Sequence, residues 1–334
     1  MKRRRMINIQ CPALFVLLIL FIVLVTGCHL FDMVGPIVVN PDVTLEEDPG
    51  LPRHSIYRPK NLDDLTDKLP IVVWGAGGCI TYGEVYYEFL SHIAVNGYLV
   101  IASNGIKELN ITTPDMLIDA IDWAISENSY SDSKYFNKID TEKIATMGQS
   151  CGGLEALHAG GDPRVSTVVA WNSGIFDFGI IGGATKDDLL ALHTPTMWVN
   201  GGPKDIAYPQ AEKDYAEVPD YVPAVWANYD LSDKGFGILG AHLGTFFELE
   251  GGEFGKAAVL WLDFTLKGVK KTRGHSSDLV ADCVRLTPNG RSSIKIGDFK
   301  PSSGAPKRLV SSFRWPDHGL LLQSTSHYEL CYNF

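Results

Sequence analysis

Short, uninterrupted apolar runs alternate along the chain with segments whose apolar residues recur every three or four positions. The runs Leu69 to Trp74, Tyr98 to Ala102, Ile144 to Met147, Val165 to Trp171, Pro195 to Asn200 and Ala224 to Tyr229 predict strands buried on both faces. His54 to Tyr57 predicts a further strand ahead of them. Helical spacing falls between the runs. Glu84 to Asn96 is closed by Gly97, and a second helix is capped by Thr113, with Pro114 in its first position and Asp115 in its first turn. That second helix continues through Met116, Ile118, Ala120, Ile121, Trp123, Ala124 and Ile125. Further helices are predicted from Ser150 to Ala159, near Lys186 to Leu192, near Gln210 to Glu217, and from Gly255 to Lys267. Repeated strand and helix units predict an α/β fold with a mostly parallel central sheet and helices on both faces. Reactive groups then sit in loops at the carboxyl ends of strands.

The pattern also divides the chain. Residues 54–268 form the single catalytic domain, and 29–53, rich in Pro, Val, Asp and Glu, read as a linker into its first strand. From Val269 the alternation lapses into serine pairs and basic residues, so 269–334 is expected to be a divergent, weakly structured tail. At the other end, Lys2-Arg3-Arg4-Arg5 precedes an apolar run from Ala13 to Val25 and then Thr26-Gly27-Cys28. Residues 1–28 are therefore expected to be an export signal, and the only tie to a membrane. Val25-Thr26-Gly27-Cys28 resembles the lipobox of bacterial lipoproteins; a plain signal peptide or an uncleaved anchor is the alternative.

Charge and cysteines narrow the function class. Residues 28–268 carry 15 Lys and Arg against 34 Asp and Glu, a balance that repels phosphate backbones and excludes nucleic acid as a partner. Of six cysteines, Cys11 and Cys28 lie in the signal region. Cys79, Cys151, Cys283 and Cys331 could form two disulfides in three pairings. No CxxC or Cys/His cluster occurs, so no metal site is expected.

The candidate chemistry centres on Gly148-Gln-Ser150-Cys-Gly152. Strand, sharp turn and helix are predicted here in succession, the shape of a nucleophile elbow. Glycines stand where side chains would collide across the turn. Ser150 would project from the end of the sheet, and the N–H of Cys151 would point at an oxygen that becomes charged on attack. A serine needs a base, and the base needs a carboxylate to hold its tautomer. His242, in the glycine-rich stretch Gly237-Ile-Leu-Gly-Ala-His-Leu-Gly-Thr245 read as a flexible loop, is the expected base. Asp205, just beyond strand 195–200, is the expected acid, with Asp177 as its rival. The loop Trp74-Gly-Ala-Gly-Gly-Cys79 is expected to supply a second oxyanion donor from the N–H of Cys79. Cys79 and Cys151 would flank one hole, either bridged or as two thiols.

Several ordered motifs strengthen this reading: Trp74-Gly-Ala-Gly-Gly-Cys, Asn96-Gly-Tyr-Leu-Val-Ile-Ala, Gly148-Gln-Ser-Cys-Gly-Gly, Ala170-Trp-Asn-Ser-Gly, Gly201-Gly-Pro-Lys-Asp-Ile-Ala-Tyr and Ala241-His-Leu-Gly-Thr. Over about residues 50–268 they resemble secreted α/β-hydrolases related to dienelactone hydrolases and cutinase-like polyester hydrolases. The resemblance implies an exported serine esterase without metal or organic cofactor. Ser150 is then the nucleophile, His242 the base, Asp205 its orienter and Trp171 a pocket wall against the acyl group. The substrate would be a small or polymeric ester. The rival classes are a non-catalytic surface or binding protein of the same fold and an acyltransferase using the same triad.

Overall fold

The structure, a computed structural model, describes residues 39–108, 110–177, 181–232, 237–268, 292–296 and 309–313. The expected signal at 1–28, the first part of the 29–53 stretch and most of 269–334 lie outside these residues.

Eight strands make the body of one sheet: β1 (Val43–Asp48), β2 (Leu51–Pro59), β3 (Leu69–Gly75), β4 (Leu99–Ser103), β5 (Ile139–Gln149), β6 (Thr167–Trp171), β7 (Thr196–Asn200) and β8 (Ala224–Asn228). Two short strands, β9 (Ser292–Ile296) and β10 (Leu309–Phe313), continue it, giving the order β1-β2-β4-β3-β5-β6-β7-β8-β9-β10. From β4 to β8 every neighbour runs parallel, while β1, β2, β9 and β10 pair antiparallel at the two edges.

The helices are α1 (Tyr87–Val95), α2 (Pro114–Ser129), α3 (Cys151–Ala159), α4 (Asp188–Ala191), α5 (Tyr208–Glu217), α6 (Gly237–Leu243) and α7 (Gly252–Leu262). Among the described residues no helix is long and apolar enough to cross a membrane.

All residues of β3 and β6 are buried, because successive side chains enter opposite layers. Ile71, Val73, Val168 and Ala170 join one core with Leu117, Ile121, Leu154 and Leu157 of α2 and α3. Trp74 and Trp171 point the other way, into an aromatic cluster with Phe89 of α1, Phe254 of α7 and Phe246, which lies between α6 and α7. The continuous apolar runs are thus two interleaved sets, each buried under its own helices. This is the α/β-hydrolase arrangement.

Two expectations are corrected. Residues 43–53, read as linker, contain β1 and the start of β2. Asp48 Oδ1 accepts from the Gly50 N–H at 2.8 Å and turns the chain back on itself. The three acids of β1 obscure it, because an edge strand can carry charge on its open side. The stretch around His242, read as a loop, is the helix α6. Tertiary contact overrides its glycines: a Cβ on Gly201 would fall 1.9 Å from the Ala241 carbonyl oxygen, so this helix packs directly onto the exit of β7.

Candidate active site

Register puts the carboxyl ends of the central strands side by side. Trp74 pairs with Met147, Gly75 with Gly148, and Gln149 with Trp171. Everything that follows these residues therefore emerges along one rim.

The first feature of that rim is the turn at Ser150, whose φ of 54° and ψ of −119° are unfavourable for a residue with a side chain. Close packing enforces it. A Cβ on Gly148 would lie 2.1 Å from the Gly152 carbonyl oxygen, and one on Gly152 would lie 2.1 Å from the Gly75 carbonyl carbon. The turn is also tied from outside: the Ser150 N–H donates to the Trp171 carbonyl at 2.9 Å, and Ser173 Oγ donates to the Ser150 carbonyl at 2.7 Å.

The three side chains expected to act together lie in a line of contact. Ser150 Oγ is 2.8 Å from His242 Nε2, and His242 Nδ1 is 2.7 Å from Asp205 Oδ1. Asp205 is buried, yet its carboxylate is surrounded by donors: Ala207 N–H at 3.0 Å on Oδ1, with Asn172 Nδ2 at 2.7 Å, Asn200 Nδ2 at 3.1 Å and Gly201 N–H at 3.2 Å on Oδ2. Burial alone would raise its pKa. The electrostatic interaction and hydrogen bond with His242, together with the Ala207 and Asn172 donors, outweigh that and hold it below the usual carboxylate range. An ionised carboxylate only accepts, so Nδ1 carries the imidazole proton and the Nε2 lone pair faces the Ser150 hydroxyl.

Four polar residues that sequence reading did not single out hold this line in place. Asn172 binds both Asp205 and the Ala241 carbonyl, the latter at 3.1 Å, and so fixes α6 against the acid. Asn200, at the end of β7, is the second amide on Asp205. Gln149 Nε2 donates to the His242 carbonyl at 3.0 Å, while its Oε1 accepts from Tyr86 Oη at 3.0 Å. Tyr86 Oη in turn accepts the Gly77 N–H at 3.1 Å. The available signal was positional: Asn172 lies in the Ala-Trp-Asn-Ser-Gly run, Asn200 ends β7, and Gln149 immediately precedes Ser150.

Next to Ser150 in sequence, Cys151 forms a disulfide with Cys79 across 72 residues, with their Cα atoms 5.3 Å apart. Cys151 is the first residue of α3, where N–H groups lack an intrahelical acceptor. The Cys79 N–H donates to the Ala76 carbonyl at 3.2 Å, and its carbonyl accepts the Thr112 N–H at 2.8 Å.

Trp171, which the resemblance makes a pocket wall, lies among the buried aromatics. Its ring is fully buried, 5.3 Å from Phe89 and 5.1 Å from Phe254 between ring centres, and strand alternation assigns it to the core beneath the site. Asp177 pairs with Lys213 at the surface rather than with a histidine. His158 pairs with Asp188 and His92 with Glu250. His318 and His327 lie outside the described residues. Among the described residues no cluster of His, Cys, Asp or Glu could hold a metal ion.

No family model matches the chain. Among curated proteins it is similar to Hydrolase LUC6 from a Fusarium species, 25% identical over 151 residues, covering 44% of this chain and 34% of that protein. It is similar to Alpha/beta hydrolase pydG from an Acremonium species, 26% identical over 140 residues, or 40% of this chain and 33% of that one. It is also similar to Hydrolase acrC from Aspergillus aculeatus, 29% identical over 147 residues, or 40% and 34%. The matches span about a third of the length of these relatives. With the sheet order they support the α/β-hydrolase superfamily and a hydrolase function in general terms.

Proposed function

We propose that this chain, an α/β-hydrolase in fold with distant hydrolase relatives, is an exported serine hydrolase that cleaves carboxylic esters through an acyl-enzyme. One observation carries the reading: the unbroken contact from Ser150 Oγ through His242 to Asp205, at 2.8 and 2.7 Å. His242 Nε2 takes the hydroxyl proton as Ser150 attacks the ester carbonyl, and the imidazolium that forms is stabilised by ionised Asp205. The tetrahedral intermediate collapses with His242 returning the proton to the departing alcohol. Water, activated by the same base, then attacks the acyl-Ser150 and releases the acid.

Charge on the tetrahedral oxygen is held by backbone amides. Cys151 N–H, at the head of α3, also lends the positive end of the helix dipole. Cys79 N–H would exchange its 3.2 Å bond to the neutral Ala76 carbonyl for a charge-assisted bond to the oxyanion. The Cys79–Cys151 bridge supports export, because a disulfide persists in an oxidising compartment and not in reducing cytosol.

The test is turnover of a short-chain nitrophenyl ester together with labelling by a fluorophosphonate probe. Hydrolysis and labelling by the full chain, both abolished in Ser150→Ala, are expected. A wild-type chain, correctly folded, that neither hydrolyses the ester nor takes the probe overturns the proposal.

A further inference from the structure

We propose that Glu155 is a positioning residue for the oxyanion amides, acting through a closed ring of contacts that joins it to Thr112, Cys79 and Cys151; the inference rests on the esterase reading above. Glu155 lies on α3 four residues after Cys151, so the two stand one turn apart on the same side of the helix. Its Oε1 accepts from Thr112 Oγ1 at 2.6 Å. The Thr112 N–H donates to the Cys79 carbonyl at 2.8 Å, and Cys79 is bonded to Cys151. One turn of α3 closes the ring. Each of the two amides proposed to hold the oxyanion is a member of it.

The loop after β3 needs such a clamp. Gly77 and Gly78 bring no side chain to pack, and both Gly78 and Cys79 have positive φ. Local preference therefore does little to hold the Cys79 peptide in one orientation. The bridge anchors its side chain, and the Thr112 N–H anchors its carbonyl. Glu155 in turn holds Thr112.

A buried carboxyl is costly where packing alone would be served by a leucine. Glu155 is fully buried, and its Oε2 makes no hydrogen bond but lies against the end of β3, where a Cβ on Gly75 would fall 2.9 Å away. Burial pushes this carboxyl up to about 8, against the opposing effect of the Thr112 hydroxyl, so it is neutral at pH 7. A glutamine can therefore reproduce both its shape and its acceptor oxygen.

The experiment compares wild type, Glu155→Leu, Glu155→Gln, Thr112→Val and Thr112→Ser as full chains, measuring kcat and KM on a nitrophenyl ester after active-site titration. Affinity for a trifluoromethyl ketone, which presents an oxyanion when bound, is measured alongside. Loss of a direct oxyanion donor costs about a hundredfold to a thousandfold in kcat, so misplacing one through its support should cost about tenfold to a hundredfold in Glu155→Leu. KM should stay within about twofold, and ketone affinity should fall by the same factor as kcat. Glu155→Gln should recover most of the turnover. If Glu155→Leu does not fold, Thr112→Val should show the same kcat loss and Thr112→Ser should restore it.

Folded, titratable variants with wild-type kcat, or a kcat loss with unchanged ketone affinity, overturn the role of Glu155 while leaving the esterase reading intact. A wild type without turnover or probe labelling overturns both.

Discussion

The side-chain amide of Gln149 donates to the backbone carbonyl of His242 at 3.0 Å, across 93 residues of sequence. The residue before Ser150 thus holds the helix that carries His242. Gln149 is itself held by Tyr86 Oη, which takes the Gly77 N–H from the loop after β3. Three separately encoded segments are locked together by one amide.

Gln149→Leu removes both links, leaving the His242 carbonyl without this donor and the Tyr86 O–H without its acceptor, although Tyr86 Oη still accepts the Gly77 N–H. Unfolding free energy should fall by about 1–3 kcal/mol, read by urea denaturation. Among the molecules still folded, kcat should drop roughly tenfold with KM little changed, since His242 remains present but is less well held. Unchanged kcat per titrated site would mean that Asn172 alone positions α6.

Asp205→Asn should be nearly as folded as wild type but catalytically poor. The amide can offer an N–H to Nδ1 and so favour the wrong tautomer, removing the lone pair from the Ser150 side. A loss on the order of 10⁴ in kcat is expected, against on the order of 10⁶ for Ser150→Ala. Asp177→Asn, at a surface pair with Lys213, should be indistinguishable from wild type in the same ester assay.

Breaking the Cys79–Cys151 bridge should act on both stability and rate. It closes a loop of 72 residues, which corresponds to about 4 kcal/mol of lost unfolded-chain entropy in the simplest account. Mild thiol treatment, or Cys79→Ser with Cys151→Ser, should lower the melting temperature and reduce kcat more than it raises KM. A reduced chain with undiminished kcat would show that the bridge is structural only.

Trp171→Leu separates two roles for one ring. The indole is enclosed by Phe89, Phe246 and Phe254, so its truncation should cost about 2–4 kcal/mol of stability through the cavity left behind. Relative KM values across a series of esters of increasing acyl length should stay in wild-type proportion. A selective change for one acyl length would place the ring at the substrate after all.

The alternation of strand and helix was legible because both faces of the sheet are covered, which turns β3 and β6 into unbroken apolar runs. That Ser150, Asp205 and His242 come together was legible because the fold places each after the end of a strand. The helix α6 was hidden, since its glycines argue locally for a loop and only the close approach of Gly201 to Ala241 explains it. β1 was hidden by edge acids. Trp171 was placed correctly on its strand, but whether a strand-end aromatic faces core or ligand is set by helices that lie elsewhere in the chain, and here its ring is buried among Phe89, Phe246 and Phe254. Asn172, Asn200 and Gln149 were invisible as a group: each looks like an ordinary polar residue until the strand register sets its amide against a group 33, 5 or 93 positions away, respectively.

Glu155 gives the protein a pH dependence of defined sign. Its carboxyl is raised from 4.5 to about 8 by burial, so in the folded chain it keeps a proton that the unfolded chain releases. Folding is then favoured fully below pH 4.5, and the contribution is lost as pH climbs toward 8, at about 1.4 kcal/mol per unit. Asp214, raised to about 6 by burial, acts in the same direction over a lower window, so the wild-type curve alone does not isolate Glu155. The difference between wild type and Glu155→Gln does, because the amide does not titrate. Urea denaturation at pH steps from 5 to 8 should show Glu155→Gln gaining on wild type continuously across that range. Parallel stability curves for the two proteins would mean that Glu155 is ionised in the fold, and that its Oε2 has a partner at the end of β3.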